Sequence, residues 1–236
     1  MDVVEENTDF LIVDKPAGLS MQVEAEGSES VLLSLKRQLG YETLYPVHRL
    51  DKMTSGLLIV AKTLEAAQQF QRMFSEHQVQ KYYLALSDKK PKKKQGLIQG
   101  DMLPARRGSY RLATTRTNPA VTRFISQSVV PGLRLFLLKP LTGKTHQLRV
   151  AMKSLSAPIL GDPRYSQTLQ AKEQDRGYLH AYALCFEWKG VARRWVLAPK
   201  SGQAFLRSET IAAIQDWQTP WLLIQDKNKQ HSGEKG

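Results

Sequence analysis

His48-Arg49-Leu50-Asp51-Lys52-Met53-Thr54-Ser55-Gly56 separates two apolar stretches, with Leu44, Tyr45 and Val47 before it and Leu57-Leu58-Ile59-Val60-Ala61 after it. The flanks read as strands near 44–48 and 57–62. Between them lie an aspartate, an arginine two residues earlier and a Thr54-Ser55-Gly56 turn. A carboxylate placed there stands at the edge of a packed sheet, where burial and neighbouring charge tune its ionisation. Alone, the pattern also fits an aspartate that merely caps the turn. The rest of the chain has to decide.

Further segments bear on it. Phe10-Leu11-Ile12-Val13 runs into Asp14-Lys15-Pro16-Ala17-Gly18-Leu19, a strand ending in Lys-Pro-x-Gly. Gln80-Lys81-Tyr82-Tyr83-Leu84-Ala85 carries a basic residue and Tyr-x-Ala on a second strand. Pro140-Leu141-Thr142-Gly143-Lys144-Thr145-His146-Gln147-Leu148-Arg149-Val150 follows, then Ile159-Leu160-Gly161-Asp162 with Tyr165, then Leu179-His180-Ala181. In this order, from about residue 9 to residue 205, the segments resemble those of the RluA-type pseudouridine synthases, which isomerise uridine in RNA. Ala151, Ser20-Met21-Gln22 and Phe186-Glu187-Trp188 depart from that pattern, where relatives often carry histidine or His-Pro. These departures touch no proposed catalytic group but bar transfer of a particular RNA target.

Strands and helices alternate without a regular beat, which points to an α+β fold. Strands are expected at 9–14, 79–86, 119–127, 133–139, 178–187 and 193–198. Helices are expected at 29–39, capped by Ser28 or Ser30 and stopped by Gly40, and after Thr63, where Leu64, Ala67, Phe70, Met73 and Phe74 share a face. Two more fall near 145–156 and 203–216. The resemblance sharpens this to a mixed, mainly antiparallel central sheet split by a catalytic cleft, with helices packed around it. It implies one catalytic domain over residues 1–224, with no separate small RNA-binding domain before it. A basic insertion covers about 87–123, and its stretch 87–109 reads as a long irregular excursion. The polar tail, 225–236, is expected to be disordered.

The reaction implied breaks the bond from uracil N1 to the sugar, turns the base, joins C5 to the sugar and removes the C5 proton. No electron or group donor enters, so no cofactor and no metal are expected. By resemblance Asp51 is the catalytic carboxylate, acting by sugar deprotonation or by nucleophilic attack. Arg149 stands beside it, and an opposite charge at that range lowers an aspartate pKa by roughly 1–3 units. Tyr83 offers a ring to stack on uracil and a phenol for the C5 proton. Periodicity alone fits Tyr82 equally well, and only the Tyr-x-Ala register selects Tyr83. Leu148 packs on the other side of the base, and Arg49 fills the gap left by a flipped uridine. His48 is read as structural, packed or hydrogen-bonded beneath the loop. The rival reading is an RNA-binding protein of the same fold without turnover, which would need none of Asp51, Tyr83 and Arg149.

Bulk properties agree. The 236 residues carry 42% apolar and 24% charged side chains, ordinary for a globular protein. No apolar run approaches the roughly 20 residues of a bilayer span, so no membrane partner is expected. Cys185, the single cysteine, rules out an internal disulfide and reads as a small core residue; a cytosolic monomer is expected. Net charge is +12, and residues 87–123 hold ten basic against two acidic residues. Lys89, Lys90, Lys92, Lys93, Lys94, Arg106 and Arg107 are therefore read as a wall for the phosphates of a structured ribosomal or transfer RNA. Gly143-Lys144-Thr145 imitates the end of a P-loop, but the required first glycine is Leu138. The five histidines are scattered and lack a cysteine partner, which speaks against a zinc deaminase.

Overall fold

The computed structural model describes residues 1–166 and 173–225. Its strands are β1 (Asp2–Glu6), β2 (Phe10–Lys15), β3 (Tyr45–Pro46), β4 (Ser55–Ala61), β5 (Gln80–Ser87), β6 (Gln95–Gly100), β7 (Met102–Pro104), β8 (Tyr110–Leu112), β9 (Ala120–Val130), β10 (Leu133–Pro140), β11 (Leu179–Trp188) and β12 (Val191–Val196). The helices are α1 (Val31–Leu39), α2 (Leu64–Ser75), α3 (Gln147–Ser154), α4 (Ser208–Gln215) and α5 (Pro220–Leu223). Ser30 caps α1 through Leu33 N, and Gly40 ends it at φ 74°. Thr63 caps α2 through Ala66 N.

One long sheet runs in the order β1-β2-β4-β11-β5-β10-β9-β6, with β3 on β4 and β12 on β11. Every pairing in it is antiparallel except β4 with β11, which meet in parallel only at Ser55–His180 and Gly56–Ala181. Beyond that point β11 leaves β4 and pairs with β12 from Ala183 onward. The sheet therefore opens beside the start of β4. Tyr83, Ala181 and Gly56 are register partners across β5, β11 and β4, so three strands meet in one row at the opening. Gly56, at φ +103°, is needed there: a Cβ would lie 2.3 Å from the Ala181 carbonyl oxygen.

Apolar side chains fill both faces. Phe10, Phe186, Trp188 and Trp195 pack edge-on, tilted or stacked in one cluster with Phe70 of α2. Leu11, Val13, Leu35, Leu58, Leu137, Met152 and Tyr182 belong to the larger core on the other side. β2 and β4 are buried along almost their whole length, as continuous apolar runs of central strands should be.

Three expectations are corrected, and one strand had not been expected. The irregular excursion at 87–109 contains β6, which adds an edge strand by pairing with β9, and the small β7–β8 hairpin reaches to Leu112. Its glycines and prolines hid this, because short edge strands need few apolar residues. Thr54-Ser55-Gly56 is not a turn: the turn is Asp51–Thr54, closed by Thr54 N donating to Asp51 O, and β4 begins at Ser55. The strand expected at 44–48 shrinks to Tyr45–Pro46. Acidic β1 was not expected as a strand at all; it is an edge strand with a bulge between Val3 and Glu5, and its exposed positions are Asp2, Val4 and Glu6. The tail expected to be disordered lies, beyond Gln225, outside the described residues.

Candidate active site

The Asp51–Thr54 turn is tied down by a buried lysine. Lys15, with no exposed surface, donates from Nζ to the carbonyls of Thr54 (2.8 Å), Pro16 (2.8 Å) and Lys52 (3.3 Å). Burial, helped by the charge of Arg176, pulls its pKa down to about 8, and Asp51 works in the opposite direction. Gly18 N also reaches Lys52 O at 2.7 Å. His48 accepts from Ile59 N at 2.9 Å and lies against Phe74. Burial pushes its pKa to about 3, so it is a neutral prop under the loop. Behind the turn, His180 Nε2 donates to Leu197 O at 2.8 Å, which leaves Nδ1 to accept from Ser55 Oγ at 2.7 Å. Arg176 Nη2 donates to the same Ser55 oxygen at 2.7 Å.

Arg149 enters from α3, and its fork is taken mainly by Asp162. Nε donates to Asp162 Oδ2 at 2.7 Å and Nη2 to Asp162 Oδ1 at 2.8 Å. Nη1 reaches Asp51 Oδ2 at 3.3 Å, a looser contact. Asp162 has no exposed surface; Oδ1 also accepts from the backbone of Arg164 (2.9 Å) and Tyr165 (3.0 Å). Burial works against the Arg149 charge, but the bonds and charge of Asp162, then those of Asp51, hold its pKa above the ordinary value. The guanidinium also lies 5.0 Å from the centre of the Tyr165 ring.

Asp51, Tyr83, Leu148, Arg149 and Arg49 line one cavity of about 760 Å³. Asp51 keeps 21% of its side chain exposed, so its carboxylate meets the open space. Tyr83 is buried, and that burial together with the Asp51 charge pushes its phenol pKa well up. Arg49 is exposed at the rim. Lys81, Arg123, Lys139 and Lys144 line the same space, whereas Asp51 is its one carboxylate among the described lining residues.

The basic wall read from the sequence is not part of this cavity. Lys89, Lys90, Lys92, Lys93 and Lys94 lie exposed on the connection from β5 to β6. Arg106 and Arg107 occupy the tip of the β7–β8 hairpin. That hairpin does abut the site, because Tyr110 N donates to Tyr165 Oη at 3.0 Å. Asp162, Lys15, His146 and Tyr165 carried no assigned role from the sequence. Lys15 had a signal, a lysine ending a run as apolar as Phe-Leu-Ile-Val, and Asp162 had its Gly161-Asp162 segment.

A family described as RNA pseudouridylate synthase matches residues 9–154. The chain belongs to that family. It is 48% identical over 223 residues to an uncharacterized RNA pseudouridine synthase of Haemophilus influenzae, covering 94% of this chain and 98% of the relative. It is 31% identical over 188 residues to the dual-specificity RNA pseudouridine synthase RluA of Escherichia coli K12, covering 77% of this chain and 84% of RluA. The solved structure of human RNA pseudouridylate synthase domain containing 1 superposes with a TM-score of 0.71 at 26% identity, covering 84% of this chain and 82% of that one. This RNA pseudouridine synthase thus carries Asp51, Tyr83 and Arg149 inside the matched stretch, while Asp162 and Tyr165, which hold Arg149, lie beyond it.

Proposed function

We propose that this enzyme isomerises a specific uridine in a structured loop of ribosomal or transfer RNA, with Asp51 as the catalytic carboxylate. The observation that carries the reading is the convergence of Asp51, Tyr83 and Arg149 on one cavity. Arg149 gives Asp51 a fixed positive neighbour without closing off its carboxylate. Attack on the sugar carbon and removal of a sugar proton both require that open, charged oxygen. Tyr83 and Leu148 offer apolar surface to the freed uracil. The Tyr83 phenol keeps its proton at neutral pH, so it serves the C5 step as a relay, handing its own proton to solvent water as it takes the one from C5. Arg49 at the rim fills the stack that the uridine leaves. We take the protein to act as a monomer in the cytosol, which suits a buried Cys185 whose thiol burial pushes up to about 11.

The test is pseudouridine mapping in ribosomal and transfer RNA from cells with and without the gene, followed by reaction of purified protein with the candidate transcript. Loss of one mapped site and its restoration by wild-type protein, not by Asp51→Asn, is the expected result. An unchanged map rejects the reading.

A further inference from the structure

Among the described residues, His146 and His77 are the two non-glycine residues lining the cavity with a left-handed backbone, both at φ 57°, and His146 stands directly before α3. Non-glycine residues adopt that conformation at a cost, and such positions gather at functional sites. Its imidazole is anchored: Nδ1 lies 3.0 Å from the Tyr165 phenol oxygen. Tyr165 is only 2% exposed, and its oxygen already accepts from Tyr110 N at 3.0 Å. The phenol proton therefore needs an acceptor, and the one within reach among the described residues is His146 Nδ1. That fixes the tautomer. The ring is neutral, Nδ1 is occupied, and Nε2–H is a donor with no partner among the described residues.

Other groups agree with a neutral ring. Burial lowers the His146 pKa, Arg149 and Arg164 push the same way, and Asp51 and Asp162 oppose them. A neutral N–H beside Arg149 suits a neutral acceptor, since a phosphate would be drawn to the cations of the same cavity. His146 and Asp51 line the same cavity, so the donor shares the space in which the base and sugar are joined. We propose that His146 donates its Nε2–H to the uracil carbonyl beside the glycosidic carbon: the C2 carbonyl of uridine and, once the base has turned, the C4 carbonyl of pseudouridine. A half-turn of uracil about the axis through N3 and C6 exchanges N1 with C5 and C2 with C4. One fixed donor then serves both ends of the reaction. Tyr165 is its positioning residue. This rests on the enzymatic reading above.

Two measurements test it. Nitrogen-15 NMR of the free protein should show His146 as the Nε2–H tautomer near pH 7, and Tyr165→Phe should let the Nδ1–H form appear. A wild-type Nδ1–H tautomer, or a doubly protonated ring, overturns the donor assignment. The second measurement uses the transcript that wild-type protein modifies, with its target as uridine or as 2-thiouridine, whose sulfur is a weaker acceptor. His146→Asn is the variant, because asparagine tolerates the left-handed backbone. Losing one hydrogen bond should slow single turnover on uridine by roughly three- to tenfold. The further loss from sulfur should be clearly smaller in His146→Asn than in wild type; independent, additive losses overturn the proposed bond. Pseudouridine formed on no RNA at all would fail the enzymatic reading instead, which the tautomer measurement does not depend on.

Discussion

Asp162 grips one edge of the Arg149 guanidinium, Nε and Nη2, at 2.7 and 2.8 Å, while Asp51 holds it by a single 3.3 Å contact. The arginine is thus a fixed post and Asp51 the adjustable member of the trio. Bidentate geometry with a wholly buried partner is the strong form of such a pair. It gives Asp51 a nearby positive charge without locking its carboxylate in place.

Breaking that pair leaves a buried arginine with only its loose contact to Asp51. Asp162→Ala should destabilise the fold by roughly 3–5 kcal/mol, read as a lower urea midpoint. Arg149→Met should cut the rate at pH 7 by orders of magnitude. Arg149→Lys should fall between it and wild type, because the charge survives but one ammonium cannot reproduce the fork. Equal loss in the two Arg149 variants would mean that shape, not charge, is what Arg149 supplies.

Asp51→Asn keeps size and polarity but removes the charge. We expect pseudouridine formation to drop by roughly 10²–10⁴-fold or more, with RNA affinity nearly unchanged, in excess EDTA and without added nucleotide. A rate within tenfold of wild type would remove Asp51 from the mechanism. A requirement for metal or nucleotide would reject the cofactor-free scheme.

The segments around Asp51, Tyr83 and Arg149 could be read from the sequence because each resembles a family motif; the apolar pattern alone left Tyr82 and Tyr83 equal. Asp162 and Tyr165 could not be assigned roles, since their meaning depends on a fork donated from 13 residues away. Lys15 marks a similar limit. A lysine at a strand end normally faces solvent, and only the three carbonyls converging on it explain its burial. The lysine run shows a different limit. Charge density along the chain says how basic a segment is, not which end of a strand it occupies. Lys89–Lys94 follow the far end of β5, whereas Lys81 and Tyr83 lie toward its start.

Neutralising Lys89, Lys90, Lys92, Lys93 and Lys94 should therefore leave the rate at saturating RNA unchanged. If they touch RNA phosphates outside the cavity, the log–log salt slope should fall by about 0.7 for each phosphate of single-stranded RNA that is no longer neutralised. Binding measured across a salt series decides this. An unchanged slope would make the run a solvated loop.

Acid should weaken the fold through its buried histidines. Burial holds His180 near pKa 3 against an ordinary 6.5, and His48 behaves alike. Between those values the unfolded chain binds protons that the folded chain refuses. Stability is thus kept above pH 6.5 and lost as pH falls toward 3, by up to about 1.4 kcal/mol per pH unit for each histidine. Urea midpoints from pH 7 to pH 4.5 measure the slope. His180→Asn should be less stable at pH 7 yet shallower in acid; a slope equal to wild type would clear His180 of the effect.

Arg49 stands exposed at the rim of the cavity whose wall carries Asp51. From there its side chain can enter the space that a flipped uridine leaves in the RNA stack. Flipping from a stacked loop costs a few kcal/mol, whereas in a flexible strand little stacking has to be broken. Arg49→Ala should consequently slow single turnover far more on a stem-loop than on an unstructured oligonucleotide with the same uridine. The comparison of the two losses is the measurement, because it cancels any general damage to the site. A clearly larger loss on the stem-loop assigns Arg49 to flipping. Equal losses would instead tie it to the chemistry or to the stability of the Asp51 turn, two residues away in the chain.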